Sequence, residues 1–585
     1  MIDVILVASG HGIRMQAYTG RLFPKLLCTI GQETLLDRLF KNIEPFCSRL
    51  TIICNKHDKV ILDKWIKTNC NQCFRVYFFE HEQNDGSYNA LQDFLLTTTI
   101  EKCIVHWSDI TTPNIKESDL DKLTAPNQCL IYGINRPMDC RFGIGPLSFG
   151  LHKDSMWSNV IGIYGFNNLS KFMYNLKYIC DNCNFKPIDL ADGLVCAQHT
   201  EIRLKYKLIP SSNLIDNGDQ AKHLKIVRNS SNQARYFNNI KIGRNTVKKW
   251  TDTERGKNVM KHEINFYHNM QELYDDCLPK IHKLSTSDTY EIVMDKIDGK
   301  TYQDWYNDKV HNMIKSDNFD IDCNKKLIKP VILGLKKFHS LQTKSRNFDK
   351  SIKYEYVDTL RSRVEEISPL IWENPNKQFL IDFDKFSESP KNIDCSKMHF
   401  EDMVNRWERI LENVVFKYAV IHGDPNTKNI MVDKDENIIF IDPRGRFGTD
   451  SMVGDVSYDF AKFIYGLSGY SSFNHAKNVE FDFVCSEGVI ASMAPFLNIF
   501  APLNIVIRDV VSIAYNITEN DERFFAISCW YKALIGMIWL KLTGYIKNDP
   551  TKAIFAYMYG MHLFEKGIYP LENLINSEHK LNLDF

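Results

Sequence analysis

The chain has 585 residues, 44% apolar and 25% charged, with 72 Lys+Arg balanced by 72 Asp+Glu. That balance excludes a disordered tail protein, a collagen-like fibre and a coiled-coil rod, and a net charge of zero leaves no global field to hold nucleic acid. Two to four domains are expected at this length. Sixteen cysteines are too sparse for a disulfide scaffold, and the opening MIDVILVASG lacks the charged start of a secretory signal, so a reducing, cytoplasmic location is expected.

In chain order, Val4–Ala8, Leu50–Cys54, Val76–Phe79 and Cys103–His106 read as buried strands. Thr34–Asn42, Lys59–Thr68 and Tyr88–Thr97 read as the helices between them. Alternating helices and nearly all-apolar strands predict an α/β domain with a mainly parallel, Rossmann-like sheet over residues 1–222. The first strand runs into Ala8-Ser9-Gly10-His11-Gly12-Ile13-Arg14. Glycines there let bare backbone N–H groups approach a phosphate, and Arg14 adds a fork of donors for its oxygens. Phe23-Pro24-Lys25 then sets a single ammonium after a rigid turn.

A polar, turn-rich stretch from Asp216 to Gln233 predicts a linker, placed at 223–234. After it, two strand-like runs around Gly243-Arg244-Asn245 read as a hairpin, Gly256–Met270 as a helix and Tyr290–Asp295 as a strand. The rest reads as mostly helical apart from one hairpin, Ile430–Val432 and Ile438–Ile441 joined at Asp433–Asn437. This order predicts a two-lobed α+β domain over 235–585, with a small β-rich lobe at about 235–298 and a large helical lobe at about 299–585. The apolar stretch Phe524–Ile546 is long enough to span a membrane, but Lys532 and Lys541 interrupt it, so a buried helix and no membrane insertion are expected. Cys70-x-x-Cys73 and Cys180-x-x-Cys183 have zinc-like spacing but stand far apart, and read as incidental thiols.

The string VILVASGHGIRM…FPKLLCTIGQETLLDRL resembles the signature of sugar-nucleotide pyrophosphorylases and phosphocholine cytidylyltransferases, with Ser9 in place of a second Ala. Gln83-Asn84-Asp85-Gly86-Ser87 resembles the family's base-reading segment, Ser108-Asp109 its Gly-Asp, and Asp216-Asn217-Gly218 its late Asp-x-Gly. The resemblance implies that Ala8, Ser9, Gly10, Gly12, Gln83, Gly86 and Ser87 hold a nucleoside triphosphate. It implies also that Arg14 holds the leaving pyrophosphate, Lys25 the α-phosphate, and Asp109 and Asp216 a Mg²⁺ ion. Such chemistry needs charge neutralisation and positioning more than a base.

The C-terminal part carries His422-Gly423-Asp424-Pro425-Asn426-Thr427-Lys428-Asn429, then Phe440-Ile441-Asp442. The spacing His-x-Asp-x-x-x-x-Asn matches the catalytic loop of protein kinases. The hairpin after it brings Asn429 and Asp442 to one open end, where an amide oxygen and a carboxylate suit Mg²⁺. Asp424 is placed to accept the proton of a substrate hydroxyl. His-Gly-Asp in place of His-Arg-Asp resembles the aminoglycoside phosphotransferase and choline kinase superfamily, which phosphorylates small molecules. In that resemblance Lys249 meets the ATP phosphates, Glu263 pairs with it, Met294 and Asp295 lie at the adenine hinge, and Asp455 and Asp459 brace the catalytic loop. Pro443-Arg444-Gly445 departs from the family pattern after the metal aspartate.

The chain is thus expected to be a bifunctional enzyme using Mg²⁺, ATP and a second nucleoside triphosphate, CTP by the resemblance. It would phosphorylate a small alcohol or amino-alcohol, choline or ethanolamine for instance, and couple the phosphomonoester to the nucleotide for decorating a surface glycan or lipid. Choline would need an aromatic cage; Trp530, Tyr531 and Trp539 are available, although aromatics at such spacing are more often core. Two other readings stay open: an anomeric sugar kinase fused to a sugar-1-phosphate nucleotidyltransferase, and a regulatory protein built from degenerate enzyme domains. Small molecules and nucleotides are the expected partners, and a homo-oligomer is compatible with either activity.

Overall fold

In a computed structural model the chain divides into two units, one formed by Met1–Ser231 with Ser368–Asn376 and Lys547–Thr551, the other by the remainder. The structure describes residues 1–9, 23–30, 33–83, 85–135, 142–144, 149–151, 158–198, 200–210, 214–216, 239–274, 276–315, 321–373, 378–382, 391–470, 473, 481–484, 488–492 and 503–578. Gly10, Gly12 and Arg14, Asn217 and Gly218, and the linker 223–234 lie outside them.

The first unit is built on a sheet of nine described strands. Its centre is β1 (Ile2–Val7), with β2 (Cys47–Cys54) on one side and β4 (Cys103–Trp107) on the other, both parallel to it. β3 (Arg75–Glu80) extends the parallel part beyond β2. Three helices make the crossovers: α1 (Leu35–Ile43), α2 (Lys56–Asn69) and α3 (Ser87–Thr97). Thr34 caps α1 with a reciprocal pair of bonds to Asp37, and the Asn55 side chain caps α2. Val4, Ile5 and Leu6 are fully buried, as an apolar central strand covered on both faces requires.

The sheet is mainly parallel but mixed. A long strand over Ser158–Phe166 runs antiparallel to β4 and to Gln128–Ile134, which in turn pairs in parallel with Arg203–Leu208. The parallel-sheet reading did not contain this strand, because its residues SNVIGIYGF are buried throughout and carry no alternation to mark a change of direction. β5 (Ile110–Thr111) follows β4 at once and pairs antiparallel with β6 (Ile215–Asp216).

The second unit opens with an antiparallel sheet ordered β7-β8-β10-β9: β7 (Asn239–Ile242), β8 (Thr246–Thr251), β9 (Ile281–Thr286) and β10 (Tyr290–Asp295). Helix α4 (Glu254–Met270), capped by Thr253, packs on it. Beyond the small sheet the unit is largely helical, with α5 (Ile321–His339), α6 (Val456–Tyr465), α7 (Leu503–Tyr515) and α8 (Glu522–Tyr545). The expected hairpin is present as Ile430–Asp433 and Ile438–Phe440. It is not alone: Lys344–Arg346, Phe416–Val420 and Val453–Asp455 form a second small sheet, too short to show a pattern in sequence.

Helix α8 is long and apolar enough to cross a membrane by length and composition, and 78% of its apolar window is buried inside the protein. It packs on α6, α7 and the helix Thr359–Glu365. Trp530, Tyr531 and Trp539 are core residues of this packing. Trp530 Nε1 donates to Ser457 Oγ at 3.1 Å, and Trp539 meets Tyr465, Phe473 and Tyr559 edge-on.

Candidate active sites

In the first unit, strand order brings distant residues to the carboxyl end of the parallel strands, where open α/β sheets place their ligands. Ala8 and Ser9 leave the end of β1, and the Ala8 amide donates to Ile53 O at 2.8 Å. Lys25 follows Pro24 in a short 3₁₀ turn. Its ammonium meets Asp109 Oδ2 at 2.9 Å, with both side chains less than one-fifth exposed. Asp109 sits in the turn between β4 and β5, and Asp216 lies opposite Ile110 in the β5–β6 register. Two carboxylates and one lysine therefore share one sheet end, although Lys25 and Asp216 are 191 positions apart in sequence. The oxygens of Asp109 and Asp216 are hard donors of the kind Mg²⁺ takes, with its remaining positions filled by phosphates and water.

Gly86 and Ser87 have structural duties at the start of α3. Gly86 has φ +99°, and a Cβ there would lie 2.1 Å from Ile188 O. The Ser87 hydroxyl donates to Asp189 Oδ1 at 3.2 Å and accepts from the Leu190 amide at 3.1 Å. Gln83 is exposed.

In the second unit, strand alternation separates two neighbouring lysines. Lys248 pairs with Glu291 on one face of β8. Lys249, on the other, is buried against α4, where its ammonium meets Glu263 Oε2 at 2.7 Å and Oε1 at 3.0 Å. The same ammonium reaches Asp442 Oδ1 at 3.1 Å. Burial opposes the charge on Lys249, but Glu263 and Asp442 outweigh it and hold the group well above the usual lysine range. It stays an ammonium at neutral pH, fit to meet phosphate oxygens. Met294 is buried on β10 opposite Val247, and the Asp295 amide donates to Lys280 O at 2.9 Å.

One carboxylate holds the start of the loop His422–Asn429. Asp459 on α6, wholly buried, accepts from the His422 amide at 2.8 Å and the Gly423 amide at 2.7 Å, and meets His339 Nε2 at 3.1 Å. Asp455 does not share this task. It caps α6 through the Ser457 amide and takes the Tyr356 hydroxyl at 2.6 Å. Buried His422 is held below the usual imidazole range by desolvation; its Nε2 donates to Ile441 O at 3.0 Å, tying the loop to the hairpin.

Asn429 donates its Nδ2 to Asp424 O at 2.9 Å and to Asp424 Oδ2 at 3.2 Å. The Ile441 amide donates to Asn429 O at 2.9 Å, so Asn429 and the Asp442 position close one end of the hairpin. With its nitrogen committed to Asp424, the Asn429 amide has its carbonyl oxygen to offer a cation. Asp442, at φ +55° and 41% exposed, has a carboxylate that solvent and ligands can reach. These two oxygens fit Mg²⁺, which completes its shell with phosphates and water. Among the described residues no group of three or more His, Cys, Asp or Glu is arranged to hold a metal, and the described members of the two Cys-x-x-Cys pairs are free thiols.

Pro443-Arg444-Gly445 has a structural explanation. Gly445 takes φ +62°, and a Cβ there would lie 2.2 Å from His262 O, so the loop runs hard against α4. Arg444 turns inward and pairs bidentately with buried Glu355 at 2.9 and 3.1 Å. Glu355 lies in a π-helical turn, Tyr354–Asp358, and also takes the Lys541 ammonium from α8. Sequence reading named Arg444 and Lys541 for other reasons, did not name Glu355, and joined none of the three, which sit 89 and 97 positions apart. The one signal in the chain was an arginine two residues after Asp442.

Residues 322–477 match the phosphotransferase enzyme family, APH. The matched segment contains Asp424, Asn429, Asp442 and Asp459; Lys249 and Glu263 lie before it. The N-terminal region matches solved nucleotidyltransferase structures. HddC from Yersinia pseudotuberculosis is 19% identical, with TM-score 0.31, and the match covers 39% of this chain and 99% of that one. The CTP:phosphocholine cytidylyltransferase LicC from Streptococcus pneumoniae is 14% identical, TM-score 0.31, covering 39% and 99%. The inositol-1-phosphate CTP transferase from T. maritima is 13% identical, TM-score 0.32, covering 40% and 98%. No curated protein matches the chain in sequence.

The Glu355 triad gives a stability prediction. Burial raises the carboxyl, but Arg444 and Lys541 overcome it and hold the group far below the usual range. Its folded pKa is below the unfolded value, so the pairing stabilises the fold above about pH 4 and is lost as pH falls. Glu355→Gln strands two buried cations and is expected to cost ~3–5 kcal/mol. Urea unfolding at pH 7 checks this: a change under ~1 kcal/mol would contradict the buried pairing.

Proposed function

We propose that the chain is a two-step enzyme, with a small-molecule kinase over residues 235–585 and a nucleotidyltransferase over residues 1–222. The observation that carries the proposal is the meeting of Lys249, Glu263 and Asp442 across 193 positions, beside a loop in which Asp424 and Asn429 are hydrogen-bonded to each other. A degenerate regulatory domain has no need to keep a buried lysine charged between two carboxylates.

In the kinase step, Asp424 takes the proton of an acceptor hydroxyl while its oxygen attacks the γ-phosphorus of ATP. The bond from that phosphorus to the β-bridging oxygen breaks and ADP leaves. Lys249 orients the phosphates, Glu263 holds Lys249 in place, and Asp459 fixes the loop. Asn429 and Asp442 would hold Mg²⁺, which supplies charge neutralisation on the phosphates when bound. In the transferase step, a phosphomonoester oxygen attacks the α-phosphorus of a second triphosphate and pyrophosphate leaves. Lys25 stands ready for the α-phosphate, with Asp109 and Asp216 as the acids for a metal.

The order follows from the chemistry, because the kinase product is the kind of nucleophile the transferase consumes. CTP as the second nucleotide, and a surface glycan or lipid as the destination, belong to this reading through the resemblance. The free thiols of the described cysteines suit a reducing cytoplasm. The acceptor, choline or ethanolamine in the first reading and a sugar in the second, is the part of the proposal that the alcohol panel below decides. Incubating the whole chain with Mg²⁺, ATP, a second triphosphate and a panel of alcohols tests the proposal. A nucleotide-diphospho product is expected, and ADP and pyrophosphate appearing only with unrelated acceptors would overturn it.

A further inference from the structure

A cation occupies one side of the Asp424 carboxylate. Asp424 Oδ2 receives Asn429 Nδ2, whereas Oδ1 faces the Lys462 ammonium at 3.3 Å. Lys462 lies on α6 three residues after Asp459, so one helix fixes both the catalytic loop and this ammonium. The ammonium is 5.7 Å from the ring centroids of both Tyr458 and Tyr465. Tyr458 also carries Lys541 at 5.9 Å, and Tyr465 stacks on Tyr470 at 4.5 Å. The two rings that flank Lys462 thus already hold protein cations, and one of them a second ring. A quaternary ammonium would have to displace tethered cations to use them.

The charge behind these rings points the same way. Arg444 and Lys541 share the single carboxylate of Glu355, so that buried group carries one more positive charge than negative. Lys462 adds an ammonium whose present partner is the base itself. An acceptor that reaches Asp424 with only a hydroxyl finds Oδ1 engaged. One that also brings an anion gives Lys462 a new partner and returns Oδ1 to the hydroxyl proton.

We propose that the kinase acceptor is an alcohol bearing an anionic group, a carboxylate or a phosphate, and that Lys462 recognises that group. This rests on the kinase reading above and narrows it. Lys462 is a specificity-determining residue: it binds the acceptor's anion and, by leaving Asp424, makes the base available.

The test uses the full chain with Mg²⁺-ATP and follows ADP release with choline, ethanolamine, glycerol, glycerate and glycerol phosphate. Glycerate and glycerol phosphate separate the carboxylate from the phosphate source. One of the two is expected to exceed glycerol in kcat/KM by at least ~10-fold and choline by more, as a charge-assisted pair allows. Lys462→Met is expected to raise KM for that anion at least ~10-fold, with a smaller loss in kcat and no change in KM for ATP, and Lys462→Arg to restore most of it. Preference for choline, ethanolamine or glycerol overturns the inference, as does equal damage by Lys462→Met to every acceptor. ATP binding without turnover of either anionic alcohol overturns it too. Failure of the kinase reading looks different: no ATP binds, or ADP release survives Asp424→Asn.

Discussion

Replacing Asp424 with Asn is expected to lower phosphorylation of the acceptor ~10²–10⁴-fold, the range for loss of a positioned general base. The substitution keeps the side chain's shape and its place beside Asn429, so ATP affinity should change little. It removes the proton acceptor and the partner of Lys462 together. Asp459 continues to hold the His422 and Gly423 amides, so the loop stays in place. Steady-state ADP release with a saturating acceptor measures the effect. Undiminished turnover would remove Asp424 from its role, and pyrophosphate release by the first unit should be untouched.

Lys25→Ala is expected to cost ~10²–10³ in the rate of pyrophosphate release, since it deletes the preorganised charge proposed to meet the α-phosphate. It also leaves Asp109 without the ammonium that pairs with it at 2.9 Å. Two carboxylates would then face an incoming triphosphate with less positive charge beside them, so the variant should need more Mg²⁺ for half-maximal rate. Phosphorylation of the acceptor should remain. A Lys25→Ala protein releasing pyrophosphate at the original rate would show that this sheet end is not the transferase site.

Much of this organisation is legible in the sequence where one element carries its own signal. The strands around Val4–Val7 and Ile52–Cys54 are apolar throughout, and a parallel sheet with covered faces is what such runs build. Helix starts at Thr34 and Asn55 carry side chains that cap them. The spacing from His422 to Asn429 fixes a loop whose members meet locally. Strand alternation separates Lys248 from Lys249, and the pairing with Glu263 spans only 14 positions.

What the sequence hides is long-range and buried. Nothing in the sequence links Glu355, Arg444 and Lys541, and only the packing of α8 and the π-helical turn brings them together. Asp455 and Asp459 lie four apart on one helix and read alike, yet one caps the helix and the other holds the loop. Lys462 reads as a helix-end lysine until the fold sets it on the base. The strand Ser158–Phe166 is buried along its whole length, and a run without alternation cannot announce whether it lies parallel or antiparallel.

The central claim is that two active sites act in sequence on one molecule, and an order-of-addition experiment on the two variants tests it most directly. Asp424→Asn, supplied with the already phosphorylated acceptor and the second triphosphate, is expected to form the nucleotide-diphospho product at the unmodified rate. Lys25→Ala, given the same mixture, is expected to form it ~10²–10³-fold more slowly. With ATP and unphosphorylated acceptor instead, Lys25→Ala should accumulate the phosphomonoester, and Asp424→Asn should form it ~10²–10⁴-fold more slowly. If the phosphorylated acceptor fails to rescue Asp424→Asn while the unmodified chain uses ATP and acceptor freely, the two sites do not form one reaction sequence.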